Sequence, residues 1–460
     1  MWKQVLLFVL LLAARGPALA GERTRVYMIL IDGFDGSSLD EQLTPTLWKL
    51  SHGTGDRATY YARGRAVMPT VTNTNHAALL TASYPAANGI LGNRLWDRVQ
   101  GHAPEGSEFA RFLEVETLFT VVERERPRLT TAALFGKSRL VGLFDRVEGR
   151  QERPDILWGD VETETETFDA KTGFGSDRRT MNEALKTLAH DDPDLLIVAL
   201  PDVDRTEHLF GPDSPEARRA RMAADREIER FIAAARRRET WAHTVLFVTA
   251  DHGMQSVAPD PARGRSYPLI LFGRELMRAG LDGVLALSRG GIESIYVQGR
   301  APSALDVTAG EQLAAVRRLA LTQPEIAEAW YRLANPADGG DAYTLDQAHP
   351  DWHLDHPQIG EMVLVARPHF QFGDPFEPST AGVLGNHGGP EQSWIPILVT
   401  GGDVRVRAQV VAAEAAIPQA TNPDIGATAL WLLGVRATRQ VSGRPVTSGL
   451  AGRVLREAFE

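Results

Sequence analysis

Val26-Tyr27-Met28-Ile29-Leu30-Ile31-Asp32-Gly33, residues 26–33, sets an unbroken apolar run against a carboxylate and a glycine. A run this short and without alternation reads as a strand buried on both faces, the form strands take inside a parallel sheet. Leu195–Leu200 and Val245–Thr249 repeat the pattern. Leu269–Phe272, Met362–Ala366 and Ile395–Val399 add further runs rich in Val, Ile and Leu, bounded by Gly, Pro or Asp. Helical patterns lie between them. In Pro215–Arg238, Ala224, Ile228, Phe231, Ile232 and Ala235 make one apolar stripe among many arginines, a solvated helix with one buried face. Alternating strand and helix predicts an α/β chain built on a mostly parallel, doubly wound sheet.

In such a sheet, ligands bind beyond the carboxyl ends of the strands. Val26–Ile31 runs into Asp32, and Leu195–Leu200 runs into Pro201-Asp202-Val203-Asp204 with His208 four residues further on. Val245–Ala250 runs into Asp251-His252-Gly253-Met254, and Gly385-Asn386-His387-Gly388-Gly389 brings one more imidazole just before another strand. One strand ending in Asp is commonplace. Three such ends, two with His in reach, converge on one edge, and mixed Asp and His ligands suit Zn²⁺, with Mn²⁺ or Fe able to substitute.

A further element is Met68-Pro69-Thr70-Val71-Thr72-Asn73-Thr74-Asn75-His76, followed by the apolar helix Ala77–Leu80. It puts the Thr72 hydroxyl at or near a helix N-terminus, where backbone N–H groups and the dipole favour a phosphate. Two readings of Thr72 stay open: an N-cap, or a nucleophile activated by metal coordination.

Thr72 with Asn75-His76, then Tyr84-Pro85 and Gly89-Ile90 through Asn93, resembles the nucleophile segment of the nucleotide pyrophosphatase/phosphodiesterases of the alkaline phosphatase superfamily. Asp204 to His208 with Gly211-Pro212, Asp251-His252-Gly253-Met254 and Asn386-His387-Gly388 are similar to its later motifs, in order over about residues 25–400. The resemblance implies two zinc ions, one held by Asp32, Thr72, Asp251 and His252, the other by Asp204, His208 and His387. It implies a covalent phospho-threonine at Thr72, with Asn93 and the Thr72 N–H on a phosphoryl oxygen, and hydrolysis of phosphate diesters or nucleotide pyrophosphates.

Departures bear on the substrate. Where the family often has a base-stacking Phe, this chain has Asn73; base stacking is worth about 1–3 kcal/mol. Trp96 and Tyr84 are the nearby aromatics that could replace it. Phe135-Gly136-Lys137-Ser138-Arg139 resembles a Lys-x-Lys element that grips the substrate carboxylate in phosphonoacetate hydrolases. Lys137 and Arg139 therefore either bind a small anionic substituent or form a solvent-facing pair. The alternative activity is that of a phosphonate hydrolase or phosphomonoesterase on the same scaffold. Trp352-His353-Leu354-Asp355-His356 looks metal-like but belongs to no such pattern; His76 reads as a helix-positioning residue, and Thr70 and Asn75 as local hydrogen-bonding residues. A sulfatase is excluded, since no Cys exists and no C/S-x-P-x-R segment sits at position 72.

The 460 residues are 43% hydrophobic and 23% charged, enough for one large domain carrying an insertion, or for two. The less regular stretch 258–380 reads as an inserted α+β cap between core segments 21–257 and 381–460. Lys3, the apolar run Val5–Ala14 and Ala18-Leu19-Ala20 make residues 1–20 a cleavable leader. That run has about half the residues of a spanning helix, so export without a stable membrane anchor is expected. The absence of cysteine excludes lipidation at the N-terminus and fits a bacterial periplasm or exterior. Without Lys3 and Arg15, the 49 basic residues become 47 against 59 acidic, a net charge of −12. That sign argues against polymeric nucleic acid and leaves a small-molecule phosphate ester or nucleotide as the partner. Glu162–Thr167 is too polar for a buried strand and reads as an exposed edge or loop.

Overall fold

The computed structural model describes residues 23–98, 101, 106–143, 153–159, 176–263, 268–299, 305–373, 382–412 and 418–459. The leader and the Glu162–Thr167 stretch lie outside them. The central sheet has eight strands: β1 (Arg25–Ile31), β2 (Ala58–Tyr61), β3 (Thr131–Phe135), β4 (Ile156–Trp158), β5 (Leu195–Leu200), β6 (Thr244–Thr249), β7 (Ile397–Gly401) and β8 (Gln409–Val411). Their order is β8-β2-β7-β6-β1-β5-β3-β4. Every neighbouring pair is parallel except the two made by β7, which runs against both β6 and β2. The innermost strands are buried on both faces, as their unbroken apolar runs require.

Helices cover the sheet in two groups. Pro45–Ser51, Asp177–His190, Asp202–Phe210 and Pro215–Arg236 pack among themselves, and Thr72–Thr81 packs with Asn422–Leu432. The five stripe residues of the long helix are all buried, and Phe231 meets Tyr27 of β1 edge to face. Among the described residues, no helix is long and apolar enough to cross a membrane.

Two of the apolar runs do other work than expected. Met362–Ala366 lies in a second, four-stranded sheet with Val284–Ser288, Ile292–Val297 and Ile326–Tyr331, antiparallel throughout. Leu269–Ile270 forms only a short pair with Gln371–Phe372, and a helix starts at Phe272. Both runs fill the second sheet's own core, in which Ile295, Tyr331, Leu364 and Phe372 are buried with Leu313 and Val316 of helix Val307–Leu321. An apolar run records burial on two faces and does not record which sheet supplies them.

Candidate active site

The parallel register brings the carboxyl ends together. Ile31 pairs with Leu200, Asp32 N donates to Leu200 O at 2.9 Å, and Asp204 N donates to Asp32 O at 3.0 Å. Gly33 (φ +77°) makes this possible, because a Cβ there would stand 2.9 Å from Asp204 Cα. Its N–H donates to Asp251 Oδ1 at 3.1 Å, which ties the end of β1 to the end of β6.

Around these ends, Asp32, Asp251 and His252 form one buried group of potential ligand atoms, and Asp204, His252 and His387 form another. His252 stands between them and stacks on His387 at 3.6 Å. His208, expected with Asp204 and His387, is outside the tighter group; its Nε2 lies 3.3 Å from Asp204 Oδ1, and its side chain is 27% exposed. Asp32 Oδ1, Asp204 Oδ1 and Asp251 Oδ2 are buried without a hydrogen-bond partner among the described residues. Each such oxygen costs about 1–3 kcal/mol unless something compensates it.

The imidazoles present the complementary half. Nδ1 of His208, His252 and His387 donates to the carbonyls of Gly385, Gly253 and Thr70 at 2.8, 3.0 and 2.8 Å. In His252 and His387, Nε2 is thereby left with its lone pair toward the carboxylates. Burial holds His252 down at about 3, and burial with the neighbouring His252 holds His387 well below its ordinary value, so both rings are neutral. Neutral imidazoles and orphaned carboxylate oxygens are the donor set of a divalent cation such as Zn²⁺.

Thr72 is the first residue of helix Thr72–Thr81, which begins earlier than the apolar Ala77–Leu80. The N-cap is Val71 and makes no side-chain cap, so Thr72 is not the capping residue. Its Oγ1 lies 3.3 Å from His252 Nε2 and 3.3 Å from Lys137 Nζ. Asn93 Oδ1 accepts from Asn73 N at 2.8 Å, over the same helix end. Asn73 itself is buried rather than presented as a platform.

Lys137 and Arg139 part company. Lys137 is 1% exposed, and its Nζ sits 2.5 Å from Asp32 Oδ2 and 2.7 Å from Asp204 Oδ2. The ammonium thus takes the outer oxygen of each carboxylate and leaves Oδ1 to face the imidazoles. Burial and the charge of Asp251 push Asp32 well above the usual carboxylate range; at Asp204 burial is outweighed by Lys137 and His208, which hold it well below. Arg139 is exposed and lines a cleft of about 180 Å³ with Asn93, Arg94, His208, Arg289 and His387.

His76 donates through Nδ1 to Thr72 O at 3.0 Å, with Asp251 Oδ2 at 3.5 Å. Asn75 bonds Val67, and Thr70 donates to Gly389 O at 2.7 Å. Tyr84 and His353 lie elsewhere, ring to ring at 4.2 Å, and His356 pairs with Glu114. Two contributors escaped sequence reading. Strand β3, which delivers Lys137, is Ala-rich, with Thr131 its single β-branched residue. The Ser288–Gly291 turn of the second sheet reaches the site, where Gly291 N donates to His387 O at 2.9 Å; only the Gly290-Gly291 pair hinted at so close an approach.

Residues 26–390 match the profile of the type I phosphodiesterase / nucleotide pyrophosphatase family. The chain belongs to this family. A curated relative, an uncharacterized pyrophosphatase/phosphodiesterase of Schizosaccharomyces pombe, is 27% identical over 238 residues, 50% of this chain and 45% of that protein. The chain thus spans about half the length of the curated relatives it matches. Among solved structures, the family's murine ectonucleotide pyrophosphatase/phosphodiesterase 5, an inactive variant in complex with AMP, superposes with TM-score 0.69 at 17% identity. That match covers 95% of this chain and 100% of that one. Phosphonoacetate hydrolase of Sinorhizobium meliloti 1021, in complex with phosphonoformate, gives 0.62 at 19% identity over 90% and 96% of the two chains. These likenesses establish a shared fold.

Proposed function

We propose that the chain is a two-zinc hydrolase that cleaves phosphate diesters or nucleotide pyrophosphate bonds through a phospho-threonine at Thr72. One observation carries this reading: orphaned carboxylate oxygens and neutral imidazoles gather at one end of the sheet, where His252 Nε2 lies 3.3 Å from a threonine hydroxyl in the first turn of a helix. Asp32, Thr72, Asp251 and His252 would hold one ion, and Asp204, His208 and His387 the other. Bound there, such ions acidify a hydroxyl or a water and offset charge on phosphoryl oxygens.

The chain's own residues supply the rest. Thr72 Oγ forms a bond to phosphorus as the bond to the leaving oxygen breaks, its electron pair departing with that oxygen. Water then attacks phosphorus and the P–Oγ bond breaks, restoring Thr72; two inversions leave retained configuration. Asn93 spends Oδ1 on Asn73 N, so Nδ2 is the group left to donate to a phosphoryl oxygen. Lys137 orients Asp32 and Asp204 and stands 3.3 Å from the nucleophile. The same reading takes 21–257 and 381–460 as the catalytic core, 258–380 as its cap, and residues 1–20 as an export leader.

A second reading, a phosphonate hydrolase or phosphomonoesterase, is favoured by the cleft wall. Arg94, Arg139 and Arg289 line it without any carboxylate among the described lining residues, and Asn73 offers no ring to a base. The structural neighbours bound to AMP and to phosphonoformate stand on the two sides of this choice. A panel of nitrophenyl esters with added zinc decides it: phosphate monoester, nucleotide diester, simple diester, phosphonate and sulfate. A kcat/KM ranking led by the diesters supports the first reading, and one led by monoester or phosphonate supports the second. Turnover of none, or of sulfate alone, removes both.

A further inference from the structure

A larger cavity, about 650 Å³, shares no lining residue with the metal-type cluster or with its cleft. Its volume is that of a small-molecule pocket. The walls come from five places in the chain: Arg65–Met68 before the Thr72 helix, Tyr84 after it, Asp351–His353, and the segments around Ser393 and around Thr421.

Its cation is Arg65. The guanidinium donates to Ser393 Oγ at 3.0 Å and Gln419 Oε1 at 3.3 Å, both neutral, and no carboxylate pairs with it among the described residues. Burial and the nearby Arg63 hold it below the ordinary arginine value, and the more distant carboxylates Asp35 and Asp351 only partly offset them. Its planar fork suits a carboxylate or phosphate.

The same cavity has aromatic walls. Tyr84 and His353 meet at 4.2 Å and 49°, and the Tyr84 hydroxyl is fixed by Thr421 at 3.2 Å. Trp352 is held by stacking on His349 at 3.8 Å and 8°. His353 is in the left-handed region at φ +51°, a strained conformation for a non-glycine residue. Its carbonyl accepts from Ala86 N, which keeps it there. Burial lowers its basicity, so the ring is neutral and offers a flat face rather than a second charge.

We propose that this cavity is a second small-molecule site, separate from the metal cluster, which takes a compact organic anion carrying a flat unsaturated ring. The anionic group pairs with Arg65 and Ser393, and the ring lies against the Tyr84, Trp352 and His353 wall. Asp351, exposed at the rim, restricts the occupant to one small anionic group and turns away polyanions.

Calorimetric titration of the zinc-supplemented full chain with benzoate tests this, with benzamide (ring without charge) and cyclohexanecarboxylate (charge without flat ring) as controls. Benzoate should bind saturably, and each control at least fivefold more weakly. Arg65→Gln, which keeps a donor for Ser393, should weaken benzoate at least tenfold while ester hydrolysis without benzoate stays within twofold. His353→Ala should weaken it through the ring instead, narrowing the gap between benzoate and cyclohexanecarboxylate. Equal benzoate affinity in wild type and both variants, with unchanged melting temperatures, would overturn the site. So would soaked crystals with benzoate only at the metal cluster. Binding is read without turnover, so the outcome is independent of which esters the chain cleaves.

Discussion

At the scale of single residues, the site is a set of side chains whose unused atoms all point one way. Asp32 and Asp204 give Oδ2 to Lys137, Asp251 gives Oδ1 to Gly33 N, and three imidazoles give Nδ1 to carbonyls. What remains is a set of free acceptors in the two groups that share His252, whose Nε2 lies 3.3 Å from Thr72 Oγ1. Thr72→Ala should therefore lower kcat by at least about 10³-fold while zinc content stays near two per chain. Metal analysis beside stopped-flow turnover checks this, and unchanged turnover would remove Thr72 from the chemistry. The Asp and His positions were legible as strand ends. The inward aim of Lys137 was not, because a Lys-x-Arg pair in a loop is written the same way whether it faces solvent or two carboxylates.

At the scale of elements, strand ends and one turn of the second sheet are pressed backbone to backbone. Gly290 (φ +78°) and Gly388 make the closest of these approaches: a Cβ on Gly290 would fall 1.9 Å from His387 O, and one on Gly388 would fall 1.8 Å from Arg289 O. Gly290→Ala should cost about 2–4 kcal/mol through backbone strain and displacement of the His387 loop, and kcat/KM should fall with it. Gly299 is the matched control, with φ +68° and nothing within 4 Å of its added Cβ; Gly299→Ala should carry the strain alone and leave kcat/KM intact. Equal effects of the two substitutions on kcat/KM would show that the turn does not shape the site. Strands β1, β5 and β6 were readable because burial on both faces leaves an uninterrupted apolar run. Strand β3, Thr-Ala-Ala-Leu-Phe, was not, since alanine carries little preference for a strand.

For the whole molecule, charge governs two expectations. Asp32, Asp204 and Asp251 are buried against one ammonium, so stripping a bound cation should destabilise the fold. A ligand at a hundred times its Kd stabilises by about 2.7 kcal/mol, and scanning calorimetry with and without chelator should show a matching fall in Tm. An unchanged Tm would mean that the native state holds no metal. Away from the site, burial pushes the Asp424 carboxyl from 3.8 up to about 6, and backbone N–H groups of Thr421 and Arg453 face it. The unfolded chain releases that proton near pH 4, so the native state alone retains it up to about pH 6. Its contribution is full below pH 4 and is lost as pH rises to 6, a change of about 3 kcal/mol. Asp424→Asn should flatten this part of the urea-stability profile, and parallel profiles would contradict it. By itself the sequence determined the fold class, the strand ends and the family, because solvent exclusion and close metal-type chemistry restrict which residues can stand in consecutive positions. Only the tertiary structure decided that His252 joins both ligand groups, that Lys137 lies between them, and that Arg65 faces a cavity of its own. Those relations join residues far apart in the chain, and local spacing carries no record of distances that packing alone sets.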